Sequence, residues 1–331
     1  MSTTFANETE AVRDLEATRD REGAQDPART MPPLYSSNKQ LDPAHLGWLR
    51  PSIDLLGHPE ALRQRMAEDG YLYMPGLLDR EEVLSARREI VRRLAEVNYL
   101  KSGVDPMEAV INPEASDRGL QPELAAGNQA LMRAIYGGAM MAFFESFLGG
   151  PVRHFDYTWL RSVGPGRGTA SHCDSVYMGR GTPRLFTAWV PLGDVNFDLG
   201  GLVVAEGTNN NTRLKETYGA QDVDSYCQNK PGARSWGKAW GTGGWLKGNP
   251  NQIRKSVAGP QGRWLTTEYR AGDALIFTIH TVHASLDNRS GDRIRFSSDS
   301  RYQLASEPAD ERWIGPHPIG HSEAGKRGKI C

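Results

Sequence analysis

Cysteine is scarce in this chain. Three occur in 331 residues, at positions 173, 227 and 331, with no CxxC spacing. An odd, unpaired set argues against a disulfide framework and fits a reducing compartment. Net charge is scarce too. At −1 the chain has no overall attraction for nucleic acid or an anionic membrane. No run of 18 apolar residues occurs, so no membrane-spanning helix is expected. The opening MSTTFANETEAVRDLEATRDREG lacks the apolar centre of a secretory signal. No internal repeat is visible. The expectation is a cytoplasmic protein acting on a small molecule, with no nucleic-acid or membrane partner. The oligomeric state is left open.

What is present suits one globular domain. Hydrophobic residues make up 38% of the chain, and its length suffices for a core without staples. Residues 1–40 are polar and charged and read as a flexible arm. Residues 41–303 read as the domain, and 304–331 as a peripheral tail. Within the domain, PEALRQRMAEDG predicts a helix ending at Gly70, and YLYMP a strand. Asp79, with Glu82 three residues on, forms a capping-box pattern. Val83, Ile90, Leu94 and Val97 then recur at helical spacing. Residues 122–148 read as two helices broken at Gly137–Gly138. After 151 the pattern changes to short β-branched or aromatic runs separated by Gly, Pro, Asp and Asn. Helices followed by many strands imply an α+β chain whose sheet part is a jelly roll or barrel.

Four His-x-acid patterns occur: His58/Glu60, His154/Asp156, His172/Asp174 and His321/Glu323. Chance alone gives about one, so the bare pattern is weak. If 169-TASHCDSVYM-178 is a strand, His172 and Asp174 share a side, and an imidazole with a carboxylate suits Fe(II), Mn or Zn. The periodicity does not exclude His154. A third ligand is sought in 272-GDALIFTIHTVHASLDNRSGDRIRFSSDSRYQ-303, at His280 or His283. Small Ala284 and Ser285 leave room beside His283. Arg293 and Arg295, further along, are candidate clamps for the far carboxylate of a dicarboxylic co-substrate.

These pieces, with 69-DGYLYMPGLLDREEV-83, 187-TAWVPLGD-194, 199-LGGLVVAEGTN-209 and 283-HASLDNRS-290, resemble the phytanoyl-CoA dioxygenase family of Fe(II)/2-oxoglutarate-dependent oxygenases. The resemblance implies a double-stranded β-helix, a jelly-roll or cupin-like core, with flanking N-terminal helices. It implies Fe(II) held by His172, Asp174 and His283, with 2-oxoglutarate and O2 as co-substrates. It implies Arg295 as the clamp in preference to Arg293, with Ser285 and Trp189 lining the co-substrate pocket. Tyr177 matches an aromatic that faces the substrate. Halogenating members lack the carboxylate that Asp174 supplies, so the implied reaction is hydroxylation of a C–H bond, with release of succinate and CO2.

Residues 225–267 stand apart. They hold Trp236, Trp240, Trp245 and Trp264 with seven Lys or Arg and no acid. This reads as a lid-like insertion that attracts an anionic substrate, with Trp236 and Trp240 as substrate walls. Two other readings keep much of this pattern. One is a cupin-type metalloenzyme that does not use 2-oxoglutarate. The other is a non-catalytic scaffold with the insertion as a binding surface.

Overall fold

The computed structural model describes residues 30–115, 119–224 and 243–326. The chain divides after Pro33, and the fold described here belongs to the unit Leu34–Cys331. It opens with a hairpin, β1 (Tyr35–Ser36) and β2 (Lys39–Gln40), and then β3 (Leu46–Trp48). Helix α1 (Pro59–Asp69) ends at Gly70, whose φ of 77° is the left-handed turn into β4 (Tyr71–Met74). A Cβ there would sit 2.4 Å from Asn209 Oδ1, so the turn tolerates only glycine. In α2 (Arg80–Glu96), Asp79 accepts the Glu82 N–H at 2.7 Å, as the capping pattern requires. Val83, Ile90 and Leu94 are buried, but Val97 is 61% exposed because the helix stops one residue before it. β5 (Gly119–Leu120), α3 (Gln129–Tyr136) and α4 (Gly138–Leu148) follow, the last two separated at Gly137.

The strand-rich part comprises β6 (Val152–His154), β7 (Trp159–Val163), α5 (Ser175–Met178), β8 (Phe186–Pro191), β9 (Leu202–Ala205) and α6 (Thr212–Glu216). It continues with α7 (Pro250–Ala258), β10 (Trp264–Thr266), β11 (Ala274–Thr278), β12 (His283–Ser285) and β13 (Arg295–Leu304). The larger sheet runs β4-β11-β8-β13-β7-β5, with β6 also on β13, and the smaller runs β12-β9-β10-β3. Together they make a double-stranded β-helix, with helices packed outside the larger sheet.

The period of two in each strand divides labour between the faces. On the outer face Leu72, Ile276, Ala188, Val190, Phe296, Tyr302 and Leu160 join Ile90, Leu94, Leu131, Phe144 and Phe147 of the helices in one apolar core. On the inner face Tyr71, Tyr73, Trp189, Leu275 and Phe277 meet Leu202, Val204 and Leu265 of the smaller sheet. Strand β13 is the exception on that face. Its inward alternates are Arg295, Ser297, Asp299 and Arg301, all buried. Polar residues deep in a barrel incur a desolvation penalty unless something binds them.

Three boundaries differ from the sequence reading. Residues 34–40 belong to the larger unit, where Ser37 and Asn38 donate their N–H groups to the Asp287 carboxylate at 2.9 and 2.7 Å. Residues 310–313 are not peripheral. Arg312 is fully buried among Asp310, Asp222 and Asp224, and Trp313 packs with Phe155, Trp159 and Ile279. The insertion divides as well. Residues 225–242, with Trp236 and Trp240, lie outside the described residues. Beyond them the chain is part of the body: Trp264 is core, and Arg254 donates to the carbonyls of Gly259, Pro260 and Gly262. Arg263 pairs with Glu206.

Candidate metal centre

His172 and His283 approach each other as an isolated antiparallel bridge, each N–H donating to the other's carbonyl at 3.0 and 2.9 Å. Their rings lie 4.3 Å apart. The Nδ1 of His172 donates to the Ala170 carbonyl at 2.8 Å, and that of His283 to the Thr281 carbonyl at 3.1 Å. A carbonyl only accepts, so both protons sit on Nδ1 and both Nε2 lone pairs are available. Those Nε2 atoms face Oδ1 of Asp174 at 3.7 and 3.9 Å.

Asp174 reaches this point by a different route from the one the spacing implied. It is not in a strand. Its φ and ψ of −71° and −21° place it in a strand-to-helix turn that opens α5. The turn swings its carboxylate back towards His172. One ligand atom from each of the three residues lies within 4.8 Å of the others, and all three residues are buried. A metal about 2.0–2.2 Å from each ligand holds such atoms about 3 Å apart, so a small contraction closes the set. Two neutral imidazoles and a carboxylate on one side of a cavity are a donor set for a non-haem divalent iron with open positions.

Electrostatics agree with that use. Burial, with His283 alongside, lowers the His172 pKa to about 3, and burial also lowers that of His283. Burial alone would raise Asp174. The Arg301 guanidinium and the Thr187 hydroxyl oppose it, and the carboxyl is held below its ordinary range and ionised. His280, also lowered by burial to about 4, adds to the same trend. Between these values and the ordinary imidazole value near 6.5, the unfolded chain binds protons that the folded chain refuses. Stability therefore rises with pH across that window and falls on acidification. The thermal midpoint of the metal-free protein is expected to drop as pH goes from about 6.5 to 4. Scanning calorimetry checks this, and a flat profile would contradict it.

The same cavity is lined by Arg161, Thr187, Phe277, Arg295, Asp299 and Arg301. Arg295 is 1% exposed, and none of its three guanidinium nitrogens has a hydrogen-bond partner among the described residues. Burial lowers its pKa to about 10. It lies 5.8 Å from the Trp189 ring, whose Nε1 likewise has no hydrogen-bond partner among the described residues. A buried, unsatisfied fork of donors fits the carboxylate of a bound dicarboxylate. Arg293 does not compete for that place. It is half exposed and pairs with Glu108 at 3.1 Å.

Ser285 is buried, but its hydroxyl accepts the Thr169 N–H at 2.6 Å and so ties down the segment leading to His172. Tyr177 sets its ring 5.5 Å from His172 and donates its hydroxyl to the Gly243 carbonyl at 2.8 Å. His280 is not in the cluster. His154 stacks on Tyr136 at 3.9 Å and His321 pairs with Asp224 at 2.9 Å. His58 occupies the N-cap position of α1.

The sequence reading missed Arg161, Thr187, Asp299 and Arg301. A signal for three of them existed. RFSSDSRY places Asp299 and Arg301 on the side of Arg295, and TWLRS puts Arg161 in a strand otherwise apolar at its inward positions.

The family model described as Phytanoyl-CoA dioxygenase (PhyH) matches residues 66–297. The chain is 26% identical over 282 residues to a 1-deoxypentalenic acid 11-beta-hydroxylase of Streptomyces exfoliatus, covering 82% of this chain and 90% of the relative. The enzyme of the same name from Streptomyces arenae is 26% identical over 283 residues, with the same coverage. Among solved structures, EctD from S. alaskensis in its apoform superposes with a TM-score of 0.53 at 16% identity, covering 85% of this chain and 88% of that one. The non-heme alpha ketoglutarate dependent epimerase SnoN superposes with a TM-score of 0.51 at 20% identity, covering 81% and 95%. The family match spans well over half of the sequence and includes His172, Asp174, His283 and Arg295, and on it the chain belongs to the phytanoyl-CoA dioxygenase (PhyH) family and is an oxygenase of that type.

Proposed function

We propose that this enzyme hydroxylates a C–H bond of a small anionic metabolite, with Fe(II) as metal and 2-oxoglutarate and O2 as co-substrates. The overall reaction balances as R–H plus 2-oxoglutarate plus O2 giving R–OH, succinate and CO2. One observation carries the reading. A three-residue ligand set, two of whose members, His172 and His283, line a cavity, shares that cavity with a buried guanidinium that has no hydrogen-bond partner among the described residues. His172, Asp174 and His283 would hold the iron, and Arg295 would take the distal carboxylate of 2-oxoglutarate. Bound there, the iron supplies O2 activation and the coupled decarboxylation of the co-substrate. The chain's own residues do the rest. Nδ1 bonds to Ala170 and Thr281 fix both tautomers. Phe277 and Leu202 give the cavity apolar lining, which disfavours water there.

The anionic substrate follows from the charge of the chamber. Three guanidiniums, of Arg161, Arg295 and Arg301, line the cavity with the carboxylate of Asp299, and the Asp174 carboxylate adjoins it through Arg301. A divalent metal and a dicarboxylate together add no net charge, so one positive charge stays unmatched. Arg301 is committed to Asp174 at 3.1 Å. Arg161 uses Nε on Asp299 at 2.5 Å and keeps 24% of its side chain exposed, so its terminal nitrogens remain to receive an acid. The curated relatives carry names that specify hydroxylation of an acid, which supports both parts of the reading. The test is a panel of carboxylic acids set beside their methyl esters, scored by succinate release. Acids should stimulate, and Arg161→Gln should raise KM roughly tenfold or more while kcat changes less. Equal stimulation by neutral esters would overturn the anionic reading.

A further inference from the structure

We propose that Arg301, with Thr187 as its second, is a positioning residue that ties up Oδ2 of Asp174, so that Oδ1 is the oxygen offered to a metal. The inference rests on the metal-site reading above and adds what fixes the carboxylate's coordination. Arg301 of β13 and Thr187 of β8 are direct cross-strand partners, so both side chains emerge on the same inner face. Both converge on one oxygen. Thr187 Oγ1 donates to Asp174 Oδ2 at 2.5 Å, and Arg301 Nη2 donates to the same atom at 3.1 Å. Oδ1 is left facing the two imidazole Nε2 atoms.

Arg301 is itself held. Its Nη1 donates to the Asp299 carbonyl at 3.2 Å, its guanidinium lies 4.1 Å from the Trp159 ring centre, and it is 2% exposed. Asp174 has no competing duty. It stands at the N-cap of α5, yet its side chain makes no cap hydrogen bond. The carboxylate is thus committed wholly to this arrangement, with one oxygen saturated by an ionic and a hydroxyl donor and the other presented to a metal. For both oxygens to bind the metal, both donors would have to be released. A carboxylate that used both oxygens would occupy one more coordination place, and 2-oxoglutarate needs two. Arg301 therefore protects the place of the co-substrate rather than the affinity for the metal.

Calorimetric titration of metal-free protein with Co(II), and then of the Co(II)-loaded protein with 2-oxoglutarate, separates the two effects. Arg301→Gln should keep Co(II) binding near the wild-type value, while its affinity for 2-oxoglutarate falls about tenfold or more, the scale of an outer-sphere change. Arg301→Lys should recover part of that loss. Thr187→Val, nearly isosteric and expected to fold, should show a smaller loss in the same direction. The proposal is overturned if both Arg301→Gln and Thr187→Val bind 2-oxoglutarate as the wild type does. It is equally overturned if Co(II) and 2-oxoglutarate affinity fall together in Thr187→Val. A wild-type protein that takes neither Co(II) nor 2-oxoglutarate sinks the reading of the site itself, which is a separate failure.

Discussion

Asp174→Ala is expected to abolish succinate formation. Two neutral imidazoles would remain, and neither carries the charge that holds a divalent ion in a buried site. Outer-sphere replacements cost metalloenzymes about ten- to hundredfold, and loss of the single anionic ligand should exceed a thousandfold. A second effect accompanies it. Arg301 loses its carboxylate partner while staying buried, and a stranded charge of this kind costs about 3–5 kcal/mol. The metal-free variant should therefore unfold at lower temperature than the metal-free wild type. Iron stoichiometry, succinate release and a melting curve check all three. Full turnover in this variant would remove Asp174 from the ligand set.

Arg295→Leu should separate function from stability in the opposite sense. The guanidinium is buried and has no hydrogen-bond partner among the described residues, so the metal-free protein bears a burial penalty that the Trp189 ring and Asp299 offset only in part. Replacing it with an apolar side chain removes that penalty, and the variant is expected to melt no lower than the wild type. A charge-assisted pair is worth about 1.5–3 kcal/mol, so the KM for 2-oxoglutarate should rise roughly ten- to hundredfold. Metal binding should not change. A variant that melts higher and yet needs far more co-substrate would mark Arg295 as a residue kept for binding at a cost in stability. A loss of stability with unchanged KM would make it structural.

Much of the scaffold was legible because local chemistry and tertiary packing agree there. The Asp79 cap, the Gly70 stop and the break at Gly137 are local signals, and the structure uses each of them. The segments of β8, β11 and β13 stand out as short β-branched or aromatic runs. The less legible parts depend on contacts between distant segments. Asp174 converges with His172 through a helical turn, which spacing alone represents as a strand. The commitment of Asp287 to Ser37 and Asn38 joins positions about 250 apart in sequence. Trp264 looked like part of a lid and is core, because β10 pairs in parallel with β3, a strand too short to show a pattern. Arg301 was hidden for another reason. A sequence shows that an arginine alternates into a barrel, but not that a carboxylate 127 residues earlier waits opposite it.

The most direct measurement is anaerobic titration of the purified protein with Fe(II), followed by 2-oxoglutarate, read by metal stoichiometry and visible absorption. One iron per chain and a metal-to-ligand charge-transfer band that appears only when both are present are the predicted results. A chain that takes up no iron, or that binds iron and shows no change with 2-oxoglutarate, would contradict the assignment.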